Sequence, residues 1–367
     1  MRVPLGGTCD ERFRPVRDRF AELLADGSET GAAVCVHVGG EPVVDLWGGW
    51  SDAARTTPWG RDTTAATYSV TKAPAAAAVL SLVGRGALGL DDVVASVWPE
   101  YGGQGKDATT VRHLLAHRAG LPAFPEPRID PRAFADWDDL AAMLARATPE
   151  WEPGTAHGEH ALTYGHLLGE VVRRVDGRTI GQLWREDLAG PLGLDFQIGL
   201  RDDEVARVAE MEHAAATWPA DVGGEPGSLR ERALGNPRGA LDTDVLRSDV
   251  WRRAEIPAVN GHGTARAVSR FYAALAGRLD VRLLPEEVRR QMLTPVATGP
   301  DALLETDVTW GLGVQFEEAL VGMGGLGGSA GFAETRRGYS FGYVTRRLGD
   351  HDRAVALSDA VDEVFDG

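Results

Sequence analysis

Ser69 and Lys72 stand three residues apart in the run Tyr68-Ser69-Val70-Thr71-Lys72, and Lys72 is one of only two lysines among 38 basic residues. Arginine stays protonated under any protein condition, whereas a buried, desolvated lysine can fall to a pKa at which its neutral amine accepts a proton. A serine one helical turn from such a lysine is a candidate nucleophile with its base alongside. The plainer reading is a serine that caps the following helix and a lysine in its exposed first turn.

Other residue groups have chemical readings too. Gly327-Gly328-Ser329-Ala330-Gly331 matches G-x-S-x-G, but that elbow needs a strand before the serine and a helix after it. Here a hairpin pattern follows, which predicts a glycine-rich turn allowing close backbone approach. His113 and His117 stand four apart on a predicted helix, and His157, Glu159, His160 and His166 gather further on. Without an H-E-x-x-H run, hydrogen-bonded or capping histidines are expected there, and no metal. A deaminase reading of His157-Gly158-Glu159 lacks the required P-C-x-x-C.

The elements that must position these residues follow from periodicity. Apolar residues at helical spacing from Asp10 to Leu24 predict a helix stopped by Gly27. Ala32–Val38 and Pro42–Trp47 flank Gly39-Gly40, the pattern of a tight hairpin. Helices are predicted over Ala73–Leu88, Val111–His117, Trp137–Ala147, Leu162–Val175 and Ile180–Leu188, then over Ala265–Leu279 and Pro285–Met292. Thr309–Phe316, Gly331–Thr335 and Tyr339–Thr345 read as strands, and Arg353–Phe365 as a closing helix. The Gly/Pro-rich stretch Asp221–Arg238 reads as a long surface loop. Strands at both ends around a helical middle predict an α/β (α+β) fold with one antiparallel sheet. Its parts would be residues 1–72 with 262–367, and a mainly helical 73–261, with the Ser69 site at their junction.

The 367-residue chain, 43% hydrophobic and 25% charged, has ordinary globular composition. A net charge of −16, scattered rather than gathered into a tail, opposes binding to nucleic acid or anionic membranes. Cys9 and Cys35 are too few for a disulfide framework or zinc cluster. Met1–Gly7 shows no apolar leader core, and a cytoplasmic setting is expected.

Further motifs carry a family resemblance. Thr67–Lys72, Trp98-Pro99-Glu100-Tyr101, Val111–Pro122, Trp151-Glu152-Pro153-Gly154-Thr155, Leu162–Gly177 and Gly190–Leu194 together resemble the serine beta-lactamase-related superfamily, over most of the chain. The closest resemblance is to family VIII carboxylesterases, which are similar to class C beta-lactamases. The resemblance implies the beta-lactamase/transpeptidase-like fold, no cofactor, and an acyl-enzyme mechanism in which Ser69 attacks an ester or amide carbonyl and Lys72 takes its proton. The backbone N–H of Ser69 and one from a C-terminal strand would hold the oxyanion.

Two departures from the family pattern bear on chemistry. Where relatives place a tyrosine after the Pro-Gly turn, this chain has Glu159, followed by His160-Ala161; Tyr164 lies five residues too late. A carboxylate that faces the site could activate water or an amine, with His160 orienting it or simply packing. The third motif, K-T-G, H-T-G or W-G-G in relatives, corresponds here to Met323-Gly324-Gly325 ahead of Leu326. Met323 argues for a neutral or apolar substrate, and the glycines leave room for a backbone N–H, that of Leu326, to reach the oxyanion.

The reading is a serine acyl-enzyme that passes the acyl group of a small-molecule ester to water, as a carboxylesterase, or to an amine or alcohol. The second role is that of natural-product transacylases of this superfamily, such as the amide-forming enzyme of capuramycin-type antibiotics, and it implies antibiotic biosynthesis. A beta-lactamase or D-amino-acid peptidase, and a non-catalytic binding protein on the same fold, are the alternatives.

Overall fold

The computed structural model describes residues 3–218 and 220–367; Met1 and Arg2, part of the segment in which no leader core was expected, lie outside them. Nine strands form one antiparallel sheet, in the order Leu5–Cys9, Glu41–Gly49, Gly31–Val38, Tyr339–Thr345, Ala330–Glu334, Leu320–Gly324, Gln315–Glu317, Asp307–Trp310, Ala297–Pro300. The two ends of the chain meet in the middle of this sheet, where Tyr339 pairs with Val38 and Thr345 with Ala32. The sheet and its helices form an α/β fold with one antiparallel sheet, as the sequence led one to expect.

Both faces of the sheet are covered, which explains the apolar run Ala32–Val36 within the strand Gly31–Val38. Val34 and Val36 point to one core with Phe20, Leu24, Leu357 and Val361, supplied by the helices Arg14–Ala25 and Asp352–Asp366. Ala33 and Cys35 point to the other, with Val268 and Tyr272 of the helix Ala265–Leu275. That helix lies close because Gly331 and Gly342 offer no side chain: a Cβ on Gly331 would come within 2.4 Å of Val268, and one on Gly342 within 2.3 Å of the Ala265 carbonyl. Deeper in this layer runs the helix Lys72–Gly84, whose residues from Lys72 to Leu80 are all fully buried. Being alanine-rich, it can be enclosed on every side without crowding its neighbours.

Several boundaries differ from expectation. The strand expected at Thr309–Phe316 is interrupted, giving Asp307–Trp310 and Gln315–Glu317 around a turn in which Gly311 N–H bonds to Val314 O. The short edge strands Leu5–Cys9 and Ala297–Pro300 carry glycines and no clear alternation, so periodicity did not reveal them. The helix from Val111 ends at Leu115, and the Ile180 helix passes into a π-helix over Trp184–Ala189. Asp221–Arg238 is not a plain surface loop, since it contains the helix Leu229–Gly235, capped by Ser228, which turns Leu234 toward the interior. Among the described residues, no helix is long and apolar enough to cross a membrane.

Candidate active site

Ser69 sits in a 3-10 turn, Tyr68–Thr71, that runs directly into the helix Lys72–Gly84. The turn is pinned from outside. Thr67 N–H bonds to Gly261 O at 2.9 Å, Thr71 Oγ1 accepts from Gly261 N–H at 2.8 Å, and Tyr68 hydroxyl donates to Ala240 O at 3.0 Å. These anchors hold Tyr68 at a left-handed φ of 46°, a conformation costing roughly 1–2 kcal/mol for a non-glycine residue. The strained turn leaves the Ser69 side chain half-buried at the mouth of a cavity of about 220 Å³.

One helical turn on, Lys72 is fully buried. Its Nζ donates to Ser69 Oγ at 2.8 Å, to Ala161 O at 3.1 Å and to Ala258 O at 3.3 Å. The segment presenting Ala258 is fixed by Asn260, whose side chain bonds to Ile256 N–H, Trp251 O and Ala254 O. Burial lowers the Lys72 pKa below its ordinary value, and Glu159 partly opposes that shift. Glu159 faces the site: its Oε1 lies 3.0 Å from Lys72 Nζ and accepts from the Ser69 hydroxyl at 3.3 Å. Serine, lysine and carboxylate thus form one hydrogen-bonded trio.

His160 takes no part in that trio. Its Nε2 accepts from Leu121 N–H at 3.0 Å, which leaves Nδ1 carrying the proton it donates to Gly158 O at 2.7 Å. Burial holds its pKa down to about 4, so the ring is neutral. With both nitrogens spent on backbone and no surface on the cavity, His160 is placed to fix the segment that presents Glu159, not to move protons. His117 supports the same segment by accepting from His160 N–H at 3.1 Å, and Tyr164 stacks on His117 while donating to Leu115 O at 3.1 Å. His113 caps its own helix, accepting from Thr110 N–H at 3.3 Å, and His166 packs between Phe124 and Trp137. No group of three metal-ligating side chains occurs among the described residues.

The third motif lies at the end of the strand Leu320–Gly324. Gly325 spends both backbone groups within the following turn, its N–H on Ser329 O at 2.7 Å and its carbonyl on Gly328 N–H at 2.9 Å. A Cβ on Gly325 would come within 2.1 Å of Thr67 O, so this turn presses directly on the segment carrying Ser69. Gly325 N–H is therefore not free to face Ser69, while Met323, Gly324 and Leu326 all line the cavity, Met323 and Leu326 as part of its apolar wall. Ser329, the serine of the G-x-S-x-G run, is buried in the turn, where its Oγ accepts from Thr345 N–H at 3.4 Å.

Two buried charges behind the site had no sequence signal. Asp301 Oδ1 accepts from the N–H groups of Glu159 (3.1 Å), Leu303 (2.9 Å) and Leu304 (2.9 Å), and Oδ2 accepts from Trp310 Nε1 at 2.8 Å. It ties Glu159 to the loop that walls the cavity. Asp301→Ala would orphan all four donors, so we expect a loss of about 3 kcal/mol in denaturant unfolding, with a fall in kcat from the displaced Glu159. The second is Arg353, whose Nη2 bonds to Gly327 O at 3.4 Å and Arg347 O at 2.7 Å, while Nη1 pairs with buried Glu29 at 3.0 Å. Arg353→Met leaves the Glu29 carboxylate buried without its ion-pair partner, a change expected to cost about 3–5 kcal/mol by chemical denaturation at neutral pH.

The cavity wall is mostly apolar, with Leu162, Leu241, Val259, Leu303 and Trp310 around Ser69, and Arg230 also lining it. Comparison with known proteins agrees with this architecture. The beta-lactamase family profile matches residues 16–365. Esterase/beta-lactamase LipL of Mycobacterium tuberculosis is 32% identical over 373 residues, covering 93% of this chain and 83% of LipL. The crystal structure of a family VIII carboxylesterase superposes with a TM-score of 0.89 at 36% identity, covering 99% of this chain and all of that one (100%). A penicillin-binding protein homolog from Caulobacter crescentus gives 0.86 at 39% identity, over 98% and 100% of the two chains. The chain belongs to the beta-lactamase family. Of these relatives, LipL and the family VIII enzyme are esterases.

Proposed function

We propose that this protein captures the acyl group of a small-molecule ester on Ser69 and releases it to water or to an amine or alcohol acceptor. The observation carrying this reading is the trio in which Ser69 Oγ receives a hydrogen bond from Lys72 and gives one to Glu159. As Oγ bonds to the ester carbonyl carbon, its proton passes to the Lys72–Glu159 pair. The carbonyl oxygen becomes an oxyanion between the N–H groups of Ser69 and Leu326, a contribution of about 3–4 kcal/mol per donor in related chemistry. The carbon–oxygen bond to the alcohol breaks, and the alkoxide leaves with the proton held by the pair. Water or an acceptor then gives its own proton to the same pair and attacks the acyl-enzyme, regenerating Ser69.

Glu159 favours transfer to an amine as a second outcome, because its carboxylate can attract an ammonium and take its proton. Met323 in the cavity wall favours neutral, apolar acyl groups over penicillin-like acids. The test is intact-protein mass after exposure to an activated small ester. An adduct of one acyl group on wild type and none on Ser69→Ala is expected, whereas equal labelling of both proteins removes the reading. Adding an amine and identifying amide or free acid as product separates transfer from hydrolysis.

A further inference from the structure

The cavity at Ser69 continues past the third motif. Gln315, Met323, Gly324 and His351 line both it and an open groove of about 190 Å³ that runs over the sheet strands beside the C-terminal helix. The groove's own lining includes Leu320, Phe332, Ala354 and Val355. Val355 is 50% exposed, an apolar side chain left in solvent on a helix whose Ala354, Leu357 and Val361 are buried. His351 stands at the junction, and Gly324 makes room for it: a Cβ there would approach His351 Nε2 to 2.9 Å. Glu317 is the one carboxylate lining the groove, and no lysine or arginine accompanies it among the described residues.

An ester has two arms diverging from its carbonyl carbon, and both need space once the oxygen faces the Ser69 and Leu326 N–H groups. The acyl arm stays covalently attached while the alcohol leaves and an acceptor enters, so the exchanging arm needs the route open to solvent. We propose that this groove binds the alkoxy arm of the ester and, in transfer, the apolar alcohol or amine that replaces it. The apolar floor fits a hydrocarbon body, and Glu317 tolerates an amine and repels a carboxylic acid. This proposal rests on the acyl-enzyme reading above.

The test compares hexyl butyrate with methyl hexanoate, which move the long arm from alkoxy to acyl, using full-length wild type, Val355→Arg and Val355→Trp. Both substitutions fill the groove from an exposed helix position outside the Ser69 cavity. For hexyl butyrate kcat/KM is expected to fall about tenfold or more in both variants, and for methyl hexanoate to stay within about twofold, since filling an apolar site discriminates against the longer hydrocarbon arm on about that scale. Equal falls for the two esters, a fall confined to methyl hexanoate, or no change overturns the proposal alone. A wild type that turns over neither ester, or a Ser69→Ala variant as active as wild type, overturns the acyl-enzyme reading and this proposal with it.

Discussion

Substituting methionine for Lys72 is expected to lower kcat/KM for any ester substrate by about a thousandfold or more while the protein still folds, because general acid–base assistance of this kind contributes 10²–10⁴-fold. Methionine is a comparable flexible side chain and needs no partner in the fully buried space that Lys72 occupies. It removes both the hydrogen bond to Ser69 Oγ at 2.8 Å and the group that shares a proton with Glu159. Lys72→Arg is the informative companion. Arginine keeps the charge but cannot give up its proton, and its larger fork does not fit a site closed by the Ala161 and Ala258 carbonyls. If Lys72→Arg retained wild-type acylation, measured by the rate of adduct formation in intact-mass experiments, positive charge alone would suffice and the proton-transfer role would be wrong.

The second large effect is expected at Glu159. Glu159→Gln keeps the size of the side chain and removes the carboxylate that accepts the Ser69 proton, and a fall of about a hundredfold in kcat/KM at neutral pH is expected. The pH profile carries the diagnostic part. In the wild type, burial lowers the Lys72 pKa and Glu159 raises it in partial opposition. With the opposing charge gone, Lys72 titrates lower still, so the neutral amine is present at lower pH than in an ordinary lysine. The glutamine variant should therefore gain activity with rising pH along one limb centred below the ordinary 10.5. A variant with unchanged rate and profile would mean that Glu159 neither takes the Ser69 proton nor sets the Lys72 pKa. Glu159→Tyr, which restores the residue type of the family pattern, should recover more activity than glutamine, since a phenol can donate and accept at the same place.

Residues close in sequence were readable as partners because local geometry brings them together. Ser69 and Lys72 are one helical turn apart, so any helix beginning there sets them side by side. The sheet was readable in its central strands, Gly31–Val38 and Tyr339–Thr345, whose apolar runs need covering on both faces. It was not readable at its edges, where Leu5–Cys9 and Ala297–Pro300 bury little and carry no period. The stretch Asp221–Arg238 misled for a different reason: its glycines and prolines advertise turns and mask a local helix signal, the Ser228 cap with Glu231 three residues on and the good helix formers of Leu229–Leu234.

By itself, then, the sequence determined which side chains can react, since serine, a rare lysine and an unusual carboxylate are matters of residue type and local spacing. Only the tertiary structure decided how they are wired. Glu159 reaches Ser69 across 90 residues of chain, and Arg353 meets Glu29 across 324. No periodicity encodes such pairings, because they are set by packing of the whole core. The same holds for His160, whose ring is turned away from Ser69 by two backbone hydrogen bonds. A buried polar group goes where its hydrogen bonds are satisfied, and the positions of those partners exist only in the folded chain.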